Sequence, residues 1–362
     1  MIPRRTICAL SLLPALGGCI AAAIPIAASS AIVRKGMEEK RDQRVARTKP
    51  ARPVATQVQG APADGRWQVM PGVTALPAPD GTFPTARPAT SAPAPSAPAT
   101  TVPEAMQYLY GSGEGAAGSI QAYRGLTRYL ADIVVHGRKD RLRQVILSDG
   151  ASLNAPQFEP CGPKPLAIVL DIDETVLLNL GYEADAARRG ESFDAARWER
   201  WEQTGADKIV AVPGAKMAVD AARGSGITVI FNSNRTAQSA AQTEAALDFA
   251  GLGPARHGST LWLKGDDGGG SAKDDRRWAI ASGYCVIALV GDQLGDFSDL
   301  FNDPKLTPST RRALAGSVDL AGLWGNGWFM LPNPVYGSAL KGGFDDIFPV
   351  TTRWADPAEE KK

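Results

Sequence analysis

Two hydrophobic rhythms run through this chain. Between Met106 and Ile133 the apolar positions (Leu109, Ile120, Tyr123, Leu126, Tyr129, Leu130) recur at spacings of three and four, the period of a helix face. The pattern predicts a mostly helical segment over 104–148. Its glycine-rich part, 111–118, superficially looks like a phosphate loop, but no strand precedes it and no Gly-Lys-Ser/Thr ending closes it. It is expected to be a loop joining two helices. Beyond Pro165 the rhythm changes. Short apolar runs at 165–170, 227–231, 260–263, 285–290 and 328–331 alternate with helix-like stretches at 214–223, 236–250 and 272–282. Apolar strands alternating with helices predict an α/β fold, a Rossmann-like parallel sheet with helices on both faces. Ligands of such sheets sit beyond the carboxyl ends of the strands, where the polar motifs of this chain also fall.

The first 35 residues follow neither rhythm. Arg4 and Arg5 precede an apolar run over 7–33 that Arg34 and Lys35 close. Residues 1–35 are expected to be a signal peptide with a lipoprotein or membrane anchor. Leu16-Gly17-Gly18-Cys19 resembles a bacterial lipobox, in which small residues precede a cysteine that becomes lipidated. An uncleaved anchor and cleaved soluble export are the alternatives. All three place the body outside the cytoplasm. The expectation is a periplasmic protein held to the bacterial envelope, at the outer membrane, through lipid on Cys19.

Residues 36–103 are expected to be a disordered Pro/Ala-rich linker. Twelve of the 27 prolines fall between Pro50 and Pro103. Such text offers too few large apolar groups to offset chain entropy, and proline keeps it extended. The folded domain is expected over 104–350, with an insertion at about 180–211 and a tail at 351–362. With 39 basic and 38 acidic side chains the net charge is +1, so no nucleic-acid partner is expected. Two histidines speak against chemistry built on clustered imidazoles, and four cysteines against a disulfide scaffold. The sequence leaves the oligomeric state open.

The sharpest chemistry is Asp171-Ile172-Asp173-Glu174-Thr175, where two carboxylates one residue apart leave a strand end together. One of such a pair can attack phosphorus while the other protonates the leaving oxygen and later activates water. Crowded carboxylates repel, so a cation is expected among them, and oxygen-only ligands suit magnesium better than zinc. Ser233 and Asn234 follow the second strand and can donate to a phosphoryl group. Lys273 opens a helix and can neutralise charge. Asp292 and Asp296 follow the fourth strand. Phosphoryl transfer needs this positioning and neutralisation above all.

These four sites, in this order, resemble the haloacid dehalogenase superfamily of aspartate-nucleophile phosphatases. The runs DIDETVLLNLGY (171–182) and IALVGDQLGDF (287–297) resemble the two signatures of class C acid phosphatases, the lipoprotein-type bacterial acid phosphatases and 5′-nucleotidases. The likeness extends over roughly 104–345. It implies that Asp171 is the nucleophile and that Asp173 is the general acid and base, its main-chain carbonyl also binding metal. It further implies that Asp292 completes the protein ligands of Mg2+, that Ser233 holds phosphate oxygens, and that Lys273 bridges nucleophile and phosphate. Asp296 would orient the metal shell or Lys273, with Asn234 beside it. The departures are Gln293, where Asn or Thr is usual, Gly295, where an acid is common, and an extra glycine-rich stretch at 266–270.

The resemblance implies a small, mostly helical cap in the insertion. Its aromatics have two readings. In one, Tyr182, Phe193, Trp198 and Trp201 pack among themselves on the sheet; in the other, Phe193 and Tyr336, with Tyr182 and Trp198, form a stacking wall for a substrate ring. Cys161 and Cys285 flank strands that neighbour one another in this superfamily, and either a disulfide or two buried thiols fits. His136 and His257 are expected to be structural. The function expected is hydrolysis of phosphate monoesters, nucleoside monophosphates included, by a magnesium-dependent acid phosphatase. The rivals are a narrow-substrate phosphatase or phosphotransferase on the same core, and an envelope-binding lipoprotein whose site has decayed.

Overall fold

The computed structural model describes residues 101–136 and 143–356. The expected targeting segment with Cys19, the linker up to residue 100 and the end of the tail lie outside the described residues. In chain order the strands are β1 (Arg143–Leu147), β2 (Phe158–Pro160), β3 (Leu166–Leu170), β4 (Leu177–Leu178), β5 (Val210–Ala211), β6 (Thr228–Thr236), β7 (Leu261–Lys264), β8 (Cys285–Gly291) and β9 (Trp328–Met330). The main helices are α1 (Gly113–His136), α2 (Leu180–Arg189), α3 (Ala195–Thr204), α4 (Ala215–Gly224), α5 (Ala240–Phe249), α6 (Asp274–Gly283) and α7 (Pro308–Ala315).

All five apolar runs become strands of one sheet, ordered β7-β6-β3-β8-β9 and parallel throughout. Both faces are covered, which is why the runs carry little polar alternation. Ile168 and Leu170 of β3 pack on one side with Tyr123 and Leu126 of α1, Val219 of α4 and Leu247 of α5. Ala167 and Val169 pack on the other with Ile280 of α6, Phe297 and Trp328. All seven residues of β8 are buried. From β3 the chain moves outward to β6 and β7, then crosses to β8 and β9. The order therefore reverses beside β3, and a crevice opens at the carboxyl ends of β3 and β8. The insertion forms a cap from α2 and α3, rooted by the small β4–β5 pair.

Two expectations for 104–148 need correction. The glycine-rich stretch is not a loop: α1 begins at Gly113, after a π-helical turn over Gln107–Gly111. Glycine serves close approach here, since a Cβ on Gly115 would lie 2.4 Å from the Tyr108 carbonyl oxygen. The end of the segment is strand, not helix. β1 pairs with β2, and it is fixed by tertiary partners: the Gln144 side chain accepts from Val286 N at 3.3 Å, and Trp328 Nε1 donates to the Val145 carbonyl at 2.8 Å. Such partners are invisible to a local period. Cys161 and Cys285 form a disulfide that ties the approach to β3 to the start of β8. No helix among the described residues is long and apolar enough to cross a membrane.

Trp328 joins these layers: it is fully buried and packs against Phe297, Phe301 and Trp324. Trp328→Ala is expected to lower unfolding free energy by about 3–5 kcal/mol, read by denaturant titration.

Candidate active site

Asp171 is the first residue past β3, and its main-chain N–H donates to the Val290 carbonyl of β8 at 2.9 Å. Asp292 is the first past β8. Adjacent parallel strands thus deliver two carboxylates to one place. A turn of 3₁₀ helix over Leu294–Asp296 brings a third. This turn can close on the strand end because residue 291 is glycine; a Cβ there would stand 2.3 Å from that of Asp296. Oxygens of Asp171, Asp292 and Asp296 lie within 4.8 Å of one another, and all three residues are buried.

Lys273, the N-cap of α6, supplies the counter-charge. Its Nζ donates to Asp171 Oδ1 at 2.5 Å and to Asp296 Oδ1 at 2.7 Å. Asp299 fixes it from behind, accepting from the main-chain N–H of Lys273 at 2.7 Å. Asp292 receives only neutral donors: Thr175 Oγ1 at 3.1 Å, Gln293 Nε2 at 3.1 Å and Asn333 Nδ2 at 2.7 Å.

The charges follow from this geometry. Burial pushes the Asp171 carboxyl well above the usual carboxylate range; Lys273 opposes that, while Asp296, Asp292 and Asp173 add to it. Burial, then repulsion from Asp296, lifts Asp292 to about 7. Burial works against the Lys273 ammonium, but Asp171 and Asp296 outweigh it and hold its pKa above the ordinary value. Three buried carboxylates share one ammonium, so an all-oxygen site with surplus negative charge remains. That donor set fits a hard divalent cation.

Asp173 faces another way. Its Oδ1 accepts from Arg235 Nε at 2.9 Å, Arg235 Nη2 at 2.7 Å and Asn179 Nδ2 at 2.9 Å, and Ser233 Oγ stands 3.5 Å from Oδ2. The alternation of β6 explains the grouping. Ser233 and Arg235 are both buried towards Asp173, whereas Asn234 between them faces outward. Asn234 instead donates to the Ser271 carbonyl at 3.0 Å and accepts from Arg276 at 2.8 Å, so it anchors the loop before Lys273. Glu174 is held at φ 54°, a left-handed conformation that strains a non-glycine residue. It is buried among Tyr110, Asn179 and the Tyr336 hydroxyl. Burial, then the Asp173 charge, lifts its carboxyl to about 7.

These groups open into a cleft of about 1020 Å³ between the sheet and the cap, lined by Asp171, Asp173, Lys273, Asp292 and Asp296 on one side. Tyr182, Phe193, Trp198 and Tyr336 line it too. The cap aromatics pack on one another, and Phe193 leaves a face to the cleft. Tyr182 packs edge-on against Trp198 at 4.9 Å, and Trp201 Nε1 donates to Asn179 at 3.1 Å. Phe193 keeps 66% of its surface exposed, whereas Tyr336 is tied through its hydroxyl to Glu174. Sequence reading assigned no role to Arg235, Glu174, Asn179 or Asn333. Glu174, Asn179 and Arg235 stood inside or beside the quoted motifs and Asn333 just past the last apolar run, so position was their signal; Arg235 and Asn333 find their carboxylates in distant segments. His136 and His257 pair with Asp132 and Asp266, away from this cleft.

The family described as HAD superfamily, subfamily IIIB (acid phosphatase), matches residues 124–339. Among solved structures, the class C acid phosphatase from Bacillus anthracis is 24% identical, over 65% of this chain and 85% of that one, with a TM-score of 0.52. The class C acid phosphatase from the same organism with tungstate bound is 22% identical, over 71% and 92% of the two chains, also with a TM-score of 0.52. Both share the fold described above.

The carboxylate cluster predicts a metal response with a defined pH sign. Folded protein keeps protons on Asp292 and Glu174 up to about 7, where the unfolded chain has lost them. Metal-free stability therefore falls as pH rises from the ordinary carboxylate range towards about 7. Protons and cation compete for Asp292. A divalent cation bound there, at a hundredfold excess over its Kd, should raise Tm by roughly 5–10 °C near pH 7.5 and by much less near pH 5. Thermal melts of chelator-treated protein check this; Asp292→Asn should abolish the rise.

Proposed function

This chain belongs to the acid phosphatases of the HAD superfamily, subfamily IIIB, and we propose that it hydrolyses phosphate monoesters, nucleoside monophosphates among them, through a phospho-aspartate on Asp171. The observation that carries the reading is the closed arrangement of Asp171, Lys273, Asp292 and Asp296 at the reversal point of the sheet. A decayed site would be expected to lose at least one of Asp171, Asp173, Lys273 and Asp292, and the chain keeps all four.

An Asp171 oxygen attacks phosphorus, and the bond from phosphorus to the ester oxygen breaks. Asp173 gives its proton to the departing alkoxide. Water then attacks the phospho-aspartate, Asp173 takes the water proton, and inorganic phosphate leaves with Asp171 restored. Lys273 aligns the Asp171 carboxylate and offers charge to the transferring group. Ser233 stands beside Asp173, where its hydroxyl can meet a phosphate oxygen. Arg235 and Asn179 hold the Asp173 carboxylate in one orientation. Asp171, Asp292 and the Asp173 main-chain carbonyl would hold magnesium, with Asp296 adding charge from beside Lys273. Bound there, the cation would neutralise phosphoryl charge that otherwise repels the nucleophile. The exposed Phe193 ring supports the nucleotide reading, because a base can stack on any aromatic face.

We also propose that the enzyme works outside the cytoplasm, tethered through the 1–35 segment and lipid on Cys19. The Cys161–Cys285 disulfide supports an oxidising compartment.

Asp171→Asn should lower kcat by at least ~10³-fold on an aryl phosphate and on nucleoside monophosphates, and Asp173→Asn by about 10²–10⁴-fold. Chelation should stop wild-type turnover and magnesium restore it; metal-independent release of phosphate would sink the proposal. Cell fractionation with labelled fatty acid should place label on the wild-type protein in the envelope and none on Cys19→Ala. Recovery of unlabelled wild-type protein in the cytosol would refute the tether.

A further inference from the structure

Glu183 of α2 lines the same cleft as Asp171 and Lys273 but has no part in the steps above. It is only 7% exposed, and its carboxylate meets no hydrogen-bond donor or ion-pair partner among the described residues. Arg197 acts on it only through space and is itself committed, paired with Glu191 and stacked over the Tyr182 ring at 5.1 Å. Burial lifts the Glu183 carboxyl to about 7, with Arg197 opposing. Glu183 borders this open cleft and also a second cavity lined by Arg188 and Lys208, and a ligand in the cleft can bring the donor its carboxylate lacks.

Its surroundings narrow the chemistry of that ligand. The cap wall of the cleft carries Glu183, Glu191, Glu199 and Glu202, and neither Lys nor Arg. Glu202 is occupied by Trp198 Nε1 at 2.7 Å and the Thr236 hydroxyl at 2.7 Å. Tyr182, Phe193 and Trp198 stand together, Phe193 at 6.5 Å from Tyr182 and 6.2 Å from Trp198. Aromatic faces that line the same cleft as an unpaired carboxylate favour an ammonium group. The Arg197 guanidinium on the Tyr182 ring already shows this attraction within the cap.

We propose that Glu183, with the faces of Phe193 and Trp198, forms a specificity site for a cationic nitrogen on the leaving group, so that amino-alcohol phosphates are preferred to neutral esters of the same shape. The proposal rests on the phosphomonoesterase reading, with phosphate at Asp171 and the leaving group directed towards the cap.

The test compares choline phosphate with 3,3-dimethylbutyl phosphate, its uncharged isostere, on the full chain with magnesium. Wild type should favour the cationic ester by about tenfold in kcat/KM, mostly through KM. E183Q should erase that preference while changing turnover of the neutral ester less than about twofold, and E183D should retain it. Equal use of both esters by wild type, or a preference intact in E183Q, overturns the proposal. Should no variant fold, wild type alone decides: inhibition of aryl phosphate turnover by choline but not by 3,3-dimethylbutanol supports it, and equal inhibition refutes it. Hydrolysis of neither ester nor of an aryl phosphate would instead count against the phosphatase reading. Equilibrium binding of the two esters then settles the Glu183 site by the same tenfold criterion.

Discussion

Three carboxylates and one ammonium, all buried within a few ångströms, are the constraint on which the rest of this structure depends. Each acid at the end of β3 and β8 is unfavourable by itself, because burial and its neighbours both oppose its charge. Lys273 meets two of them, and the third is left with neutral donors. Such a cluster is a poor way to stabilise a fold. Its retention makes sense as a site that gains when a divalent cation and a phosphoryl group arrive together.

The scaffold can carry that load because its supports are rigid and lie in the core. β8 is buried along its whole length, the disulfide fixes its start, and Trp328 packs its far side. The reversal of strand order beside β3 leaves room for a ligand without breaking a helix–sheet contact. Glycine at 291 lets Asp296 fold back onto the strand end. Lys273 owes its position to the helix it caps and to Asp299 behind it, 26 residues along the chain. The chemistry therefore sits on strand ends and a helix start, and its geometry is set by the packing beneath them.

The cap adds a second layer of control. Its acidic and aromatic wall faces Asp171, Lys273 and Asp292 across one cleft. A shared catalytic core with a variable wall separates two problems: activating phosphorus, and choosing what phosphorus is attached to. Asp171 and Asp173 line one side of the cleft, and Glu183 and Phe193 line the other.

Much of this was legible in the sequence. The five apolar runs named the sheet, since strands covered on both faces must be apolar throughout, and the acids at their ends marked the crevice. Asp171, Asp173, Lys273 and Asp292 stood at strand ends and a helix start, and it was the resemblance to class C acid phosphatases that implied their phosphoryl chemistry. Local reading failed at two places: the glycines around Gly115 signalled a loop but serve close packing inside α1, and Val145 belongs to a strand held by Trp328. Direction was equally hidden. No pattern told that Arg235 would clasp Asp173 or that Asn234 would turn to Ser271. Sequence by itself determined which residue types stand at which strand ends, because period and burial are local properties. Only the tertiary structure decided which carboxylate meets which cation and that Glu183 meets none, because those partners are brought together across tens of residues by the packing of the sheet and its cap.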